Sequence, residues 1–194
     1  MSFDKQKAEA SKKNLQNADL KNADLQEADL SEGILIEACL ENCNLSEADL
    51  CGTDISGASL KNARLHRTVL YRFRGKEVDF SNAVLTQANL VEANLSGANF
   101  THANLMESNI EGANLTNACF KDANLSEVNL TGVFLANANL SGANFTNSEC
   151  IAADLVGCDL TGTNLHNTYL NHADLSGANL KSALNLTCDQ VETA

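Results

Sequence analysis

The 194-residue sequence predicts an all-β coil with four short sides, and three observations predict it. From Leu15 to Leu180 every fifth residue is Leu, Ile or Phe at 32 of 34 positions, the exceptions being Gly75 and Cys150. Offset from these by two residues runs a second series from Ala18 to Ala183, nearly all small, with Ala at 21 of its 34 sites. Immediately before the large residue comes Asn or Asp in most repeats, as in Asn89, Asn94, Asn99 and Asn104.

A period of five matches neither the 3.6 of a helix nor the 2 of a strand. On a helix, Leu every five residues would rotate around the axis and expose most of itself. On one long strand it would alternate faces. Only a chain that turns once per five residues keeps every large and every small residue inside. Four such turns close a square coil of twenty residues, and coils stack at strand spacing, about 4.8 Å. The repeat then builds roughly eight and a half coils and a rod on the order of 40 Å long.

Composition agrees. There is no Pro and no Trp, and only 5% of residues are aromatic. Aromatic residues usually supply much of a globular core, so many small identical contacts do the work here. The chain carries 25 acids against 13 Lys plus Arg, a net charge of -12. That lacks the basic footprint that nucleic acid or anionic lipid requires, so no direct nucleic-acid binding is expected. The N-terminus has no apolar signal core and no later run is long enough to span a bilayer. With an odd count of seven Cys, the expectation is a cytoplasmic chain with no membrane attachment and free thiols, most serving as small buried residues.

Units such as Ala-Asn-Leu-Ser-Gly (93–97) and Ala-Asp-Leu-Ser-Gly (173–177) give the chain its resemblance to the pentapeptide-repeat family, whose unit is A(D/N)LXX. The resemblance spans about residues 13–183. It implies a right-handed quadrilateral β-helix. The Leu-rich style resembles cyanobacterial members more than the Phe- and Cys-rich quinolone-resistance proteins.

Position in the unit sets the expected roles. The large residue fills the centre, the small one packs near a corner, and three positions face solvent. Residues twenty apart share a column, so Asn104, Asn124, Asn144 and Asn164 form one amide ladder and Asn89, Asn109 and Asn129 another. The expected organisation is residues 1–12 as an N-terminal cap or flexible tail with Phe3 as its apolar anchor, 13–183 as the repeat, and 184–194 as a capping segment. Leu184-Asn185-Leu186 breaks the phase, and Thr187 with Gln190 has capping-box spacing, which predicts a short helical turn.

Two stretches depart from the repeat. Asp19 to Asp54 holds ten acids against Lys21 alone, and Asp24, Glu27, Asp29, Glu32, Glu47 and Asp49 are the candidate acidic surface. It is either a docking surface or a solubilising one, and it stacks Asp29 on Asp49, a costly like-charge contact. The next coil gathers bases. Arg64, Arg67, Tyr71, Arg72, Arg74 and Lys76 are the candidate partner surface, or else neutralise the acidic coils beside them. Here Gly75 takes a large site and Phe73 a small one, so Phe73 is expected to fill the space Gly75 leaves. Ile34, Ile36, Phe134, Ala136 and Val156 fall on one side, a weaker candidate contact or dimer surface.

No phosphate-binding Gly loop, CxxC pair or His-Glu-x-x-His occurs. The four His are scattered, and Cys39 and Cys119 share a column four coils apart, too far to bridge. No enzyme, cofactor or metal is expected of a filled rod without a pocket. The expected function is a rigid protein-interaction rod, a monomer or weak homodimer, bound by an unidentified protein. The alternative is an acidic DNA mimic that binds a type II topoisomerase or another DNA-binding protein, as the resemblance allows. The missing loops and C-terminal dimerisation segment of such members speak against it.

Overall fold

The computed structural model describes residues 5–194, so the expected anchor Phe3 lies outside the described residues. The backbone pairs through isolated parallel bridges, each joining a residue to the one twenty further on, from Asp19–Cys39 to Asn164–Leu184. No longer strand forms among the described residues, because a turn follows each bridging residue and its large neighbour. The result is a β-solenoid with four bridging columns. In chain order they start at Asp19, Asp24, Asp29 and Ile34, and each names a face below.

One turn type makes every corner. The small residue's amide donates to the large residue's carbonyl three positions back, as Ala18 to Leu15 at 3.0 Å and Ala98 to Leu95 at 3.0 Å. The residue between them, two after the large one, has φ between 52° and 71° at every repeat from Asn17 to Ser182. A positive φ at the third turn position is the type II pattern, which favours Gly and Asn. Nine of the eleven Gly stand there.

The Asn or Asp before the large residue locks the same corner. Its Oδ1 accepts the amide two residues on, as Asn99 does from Thr101 at 3.0 Å and Asp154 from Val156 at 3.1 Å. The expected ladder over Asn104, Asn124, Asn144 and Asn164 forms, with amide bonds of 3.2, 3.3 and 3.1 Å. The Asn89–Asn109–Asn129 column stacks by bridges, but its side chains are engaged with the turn amides of Val91, Glu111 and Thr131 instead.

Inside, the large residues from Leu15 to Leu170 are at most 2% exposed, and Phe80, Phe100 and Phe120 stack with centroids 5.0 and 4.6 Å apart. Where Thr replaces Ala, its hydroxyl donates to a carbonyl 23 residues earlier, as Thr68 to Leu45 and Thr163 to Leu140, both at 2.8 Å. A buried polar group is thus satisfied without disturbing the stack.

Both ends are covered by irregular structure. Helix α1 (Lys5–Ala10) and a 3₁₀ turn at Lys12–Asn14 lie against the first coil. Lys12 carbonyl takes the Ile34 amide at 2.7 Å, and Glu9 carboxylate takes that of Asp29 at 2.9 Å. These are edge amides that no lower coil can pair. Gly33 makes room, since a Cβ there would fall 2.6 Å from Leu30 O and 3.2 Å from Lys12 O. At the other end, Leu184 takes a bridging position and is 54% exposed, Asn185 turns with φ 58°, and Leu186 packs back on the core. That shift by one residue accounts for the phase break. Helix α2 (Cys188–Thr193) follows, with a capping box between Thr187 and Gln190. Gln190 Nε2 also donates to Leu165 O and Thr168 O, at 2.9 and 2.8 Å. No helix among the described residues is long and apolar enough to cross a membrane.

Candidate interaction surface

Chemistry on this surface is set by which column a residue occupies. Glu27, Asp29, Glu32, Glu47 and Asp49 all fall on the Asp29 face or the two corners beside it, while Asp24 stands on the adjoining face. The same face continues upward with Glu92, Glu107, Glu111, Glu127 and Glu149. All ten of these carboxylates are exposed, and within the described repeat the only bases on that face and its corners are Arg67 and Arg72, with Lys12 of the N-terminal segment reaching Asp29 from below. Its net charge is therefore -8 out of the chain's -12. Along the chain, the acids concentrate in the first coils. Read by column, they run the length of one face.

Asp29 bridges Asp49, as the twenty-residue rule requires. The like-charge contact is relieved by a group the sequence did not offer: Lys12 Nζ lies 2.8 Å from Asp29 Oδ1. That bond, helped by the Ser31 hydroxyl and amide, holds the Asp29 carboxyl down at about 2.

The basic residues encircle their coil. Arg64 stands on the Asp24 face and Arg74 on the Ile34 face, half a coil apart and therefore on opposite sides. Lys76 lies at the next corner, and Arg67, Tyr71 and Arg72 flank the acidic face. Several are spent on neighbours one coil away. Arg72 Nε meets Glu92 Oε2 at 2.7 Å and its guanidinium lies 4.9 Å from the Tyr71 ring centroid. Arg74 Nε meets Asp54 Oδ2 at 3.3 Å, and Arg67 Nε donates to Gln87 at 2.8 Å. Lys76 Nζ is 3.6 Å from Glu77. The structure brings only Arg67, Tyr71 and Arg72 of the six onto one face.

A family model described as pentapeptide repeats matches the chain in eight copies, within residues 6–70 and 78–184. The chain belongs to the pentapeptide-repeat family. The internal gap between matches in this pentapeptide-repeat protein is 71–77, the stretch where Gly75 and Phe73 depart from the unit. Among solved structures it is similar to HetL, a pentapeptide-repeat protein involved in heterocyst differentiation regulation from the cyanobacterium Nostoc sp. strain PCC 7120. Identity is 30%, covering 87% of this chain and 81% of that one, with a TM-score of 0.36. Rfr23 from the cyanobacterium Cyanothece 51142 is 32% identical over 47% of this chain and 58% of its own, TM-score 0.31. A trypsin-treated QnrB1, a plasmid-mediated fluoroquinolone resistance protein, is 22% identical over 86% and 85%, TM-score 0.42. A sequence search among curated proteins finds no match.

The remaining groups of the pentapeptide-repeat rod are dispersed. No cluster of His, Cys, Asp and Glu that would hold a metal occurs among the described residues. The Cys do not all follow the expected burial. Cys43, Cys150 and Cys158 are buried, with thiols pushed up to about 11, 12 and 11 by burial. Cys39, Cys51 and Cys119 occupy outward positions and are half-buried, and Cys188 is exposed on α2. Of the apolar side group, Ile34 and Phe134 share a column, 37% and 52% exposed, while Ile36, Ala136 and Val156 at the adjoining corner are half-buried.

Proposed function

We propose that this pentapeptide-repeat chain is a non-catalytic rod which another protein binds through its acidic face. The single observation behind this reading is the charge distribution, -8 of -12 on one face and its corners. A rigid coil holds those carboxylates in fixed columns, so a partner with complementary basic groups gains contact without ordering the rod. Arg67 and Arg72 interrupt the acidic run and give it a register. The finer architecture that goes with this reading is a right-handed quadrilateral β-helix of eight to nine coils over 13–183. The described residues 5–12 of the N-terminal segment and segment 184–194 close its ends, in a cytoplasmic monomer or weak homodimer.

The test is affinity capture with the wild-type chain and with Glu107→Gln, Glu111→Gln, Glu127→Gln combined. A partner held by the first and lost from the second is the expected result. An unchanged partner set sinks the reading.

The same acidic face favours a second reading, mimicry of DNA toward a type II topoisomerase or another DNA-binding protein. A DNA-supercoiling assay with added protein separates the two. Neither inhibition nor protection at micromolar protein removes mimicry.

A further inference from the structure

Phe134 stands in the Ile34 column, whose lower positions are Ile34, Asp54 and Arg74 and whose two positions on either side of Phe134 are Asn94, Asn114, Asp154 and Asp174. Each of these last four accepts a turn amide, from Ser96, Thr116, Val156 and Ser176, at 3.4, 3.1, 3.1 and 2.9 Å. A phenyl ring accepts none, so this repeat forgoes one corner-locking hydrogen bond. The ring is also 52% exposed, more than the outward Ile34, Val69 or Val84 at 37–38%. A residue that gives up a turn bond in order to expose an aromatic ring breaks the local rule without benefit to folding.

The ground beside it is cleared. Gly112 and Gly132 occupy the adjoining corner, and a Cβ on either would meet nothing within 4 Å. A groove of about 430 Å³ results, lined by Phe134, Gly112, Asn114, Thr116, Glu92 and Asp154 among others. Its two ionisable groups are carboxylates. Glu92 uses Oε2 for Arg72 and Tyr71, and Asp154 uses Oδ1 for the Val156 amide. The other oxygen of each has no protein partner among the described residues. The corner also borders the acidic face at Glu111 and Glu149.

We propose that this groove seats an arginine of a basic partner protein, its guanidinium stacked on Phe134 and bonded to Glu92 or Asp154. The proposal rests on the interaction-rod reading and names the partner's chemistry. A planar cation satisfies a π face and a carboxylate together, which an ammonium does less well. A second copy of this chain brings a further charge of -12, and nucleic acid is also anionic, so neither fits.

The test uses a labelled peptide alternating arginine and serine, and the same peptide with lysine for arginine, read by anisotropy at physiological salt. Two variants leave the core untouched. Phe134→Asn restores the column's turn acceptor, and Gly112→Asn fills the groove with a residue that tolerates positive φ. Each should weaken the arginine peptide about tenfold, equivalent to ~1.4 kcal/mol. Phe134→Asn should unfold no earlier than wild type. Equal affinity of wild type and both variants, or equal binding of the lysine peptide, overturns the proposal. If the captured partner is lost on neutralising Glu107, Glu111 and Glu127 but kept by Phe134→Asn, the groove is wrong and the acidic face stands. If the Glu107, Glu111 and Glu127 triple variant and Phe134→Asn both keep it, both readings fall.

Discussion

Phe73 Cε1 lies 3.0 Å from the point where Gly75 would carry a Cβ. The two residues have exchanged volumes: the small site holds a phenyl ring, and the large site is vacated so that the ring can fill it. Leu95 Cδ2 at 3.0 Å and Val78 Cγ1 at 3.2 Å close the same space. Phe73 is fully buried and tilts against Phe80, with centroids 6.5 Å apart.

Restoring the repeat at one of these positions alone should therefore harm the fold. Gly75→Leu overfills the coil and is expected to cost about 1–3 kcal/mol. Phe73→Ala empties it, at about 3–5 kcal/mol. The double change rebuilds a regular unit and should recover most of the loss. Urea unfolding of the three variants checks this, and additive losses in the double variant would show that the sites are not coupled.

Acid should break the Lys12–Asp29 contact only at low pH. The Asp29 carboxyl is held at about 2 by Lys12 and Ser31, below the roughly 3.9 of an unfolded Asp. A depressed folded pKa gives stability that is full above the unfolded value and lost as pH falls through the folded one. The contact is thus complete above about pH 4 and fails toward pH 2. A carboxyl NMR titration of Asp29 should show that low midpoint. In Lys12→Gln it should move up, though not to the ordinary value, because Ser31 still donates to it.

Backbone strain at the corners is a second lever. Ala152 has φ 54° with no side-chain polar group to compensate. Ala152→Gly should stabilise by roughly 0.5–1 kcal/mol, raising Tm by a few degrees. Ala152→Val should lower it. A Tm unchanged by both would mean that corner strain contributes nothing to stability.

Thiol reactivity should sort by position. At neutral pH, maleimide is expected to label Cys188 fastest and the half-buried Cys39, Cys51 and Cys119 more slowly. Cys43, Cys150 and Cys158, whose burial holds the thiols at about 11 to 12, should label only on unfolding. Mass spectrometry of timed samples reads the order directly.

Much of the fold was legible because burial acts on every repeat alike. Leu, Ile or Phe at the centre and Ala at the corner are steric requirements, and they recur until they can be counted. Even the Phe73–Gly75 exchange was readable as a swap of volumes. The left-handed corner was not, since Glu27, Arg72 and Ala152 adopt it beside Gly, and only the clustering of Gly and Asn there betrays it. The candidate surface was half legible. Neighbours in sequence turn away from one another around the coil, so the basic run 61–76 split over all sides. The acids at Glu107, Glu111 and Glu127 meanwhile proved to share a face with Asp29. The Lys12–Asp29 pair depends on how α1 and the 3₁₀ turn lie on the first coil, which no period encodes.

Binding of the partner is proposed to depend on one face rather than on net charge. The direct measurement is the Kd of the captured partner for two variants with equal charge change. One combines Glu107→Gln, Glu111→Gln and Glu127→Gln on the acidic face. The other combines Asp79→Asn, Asp122→Asn and Asp159→Asn, on the opposite face and its corner. The first should bind about tenfold more weakly, ~1.4 kcal/mol, and the second within about twofold of wild type. Equal weakening in both would contradict a face-specific site.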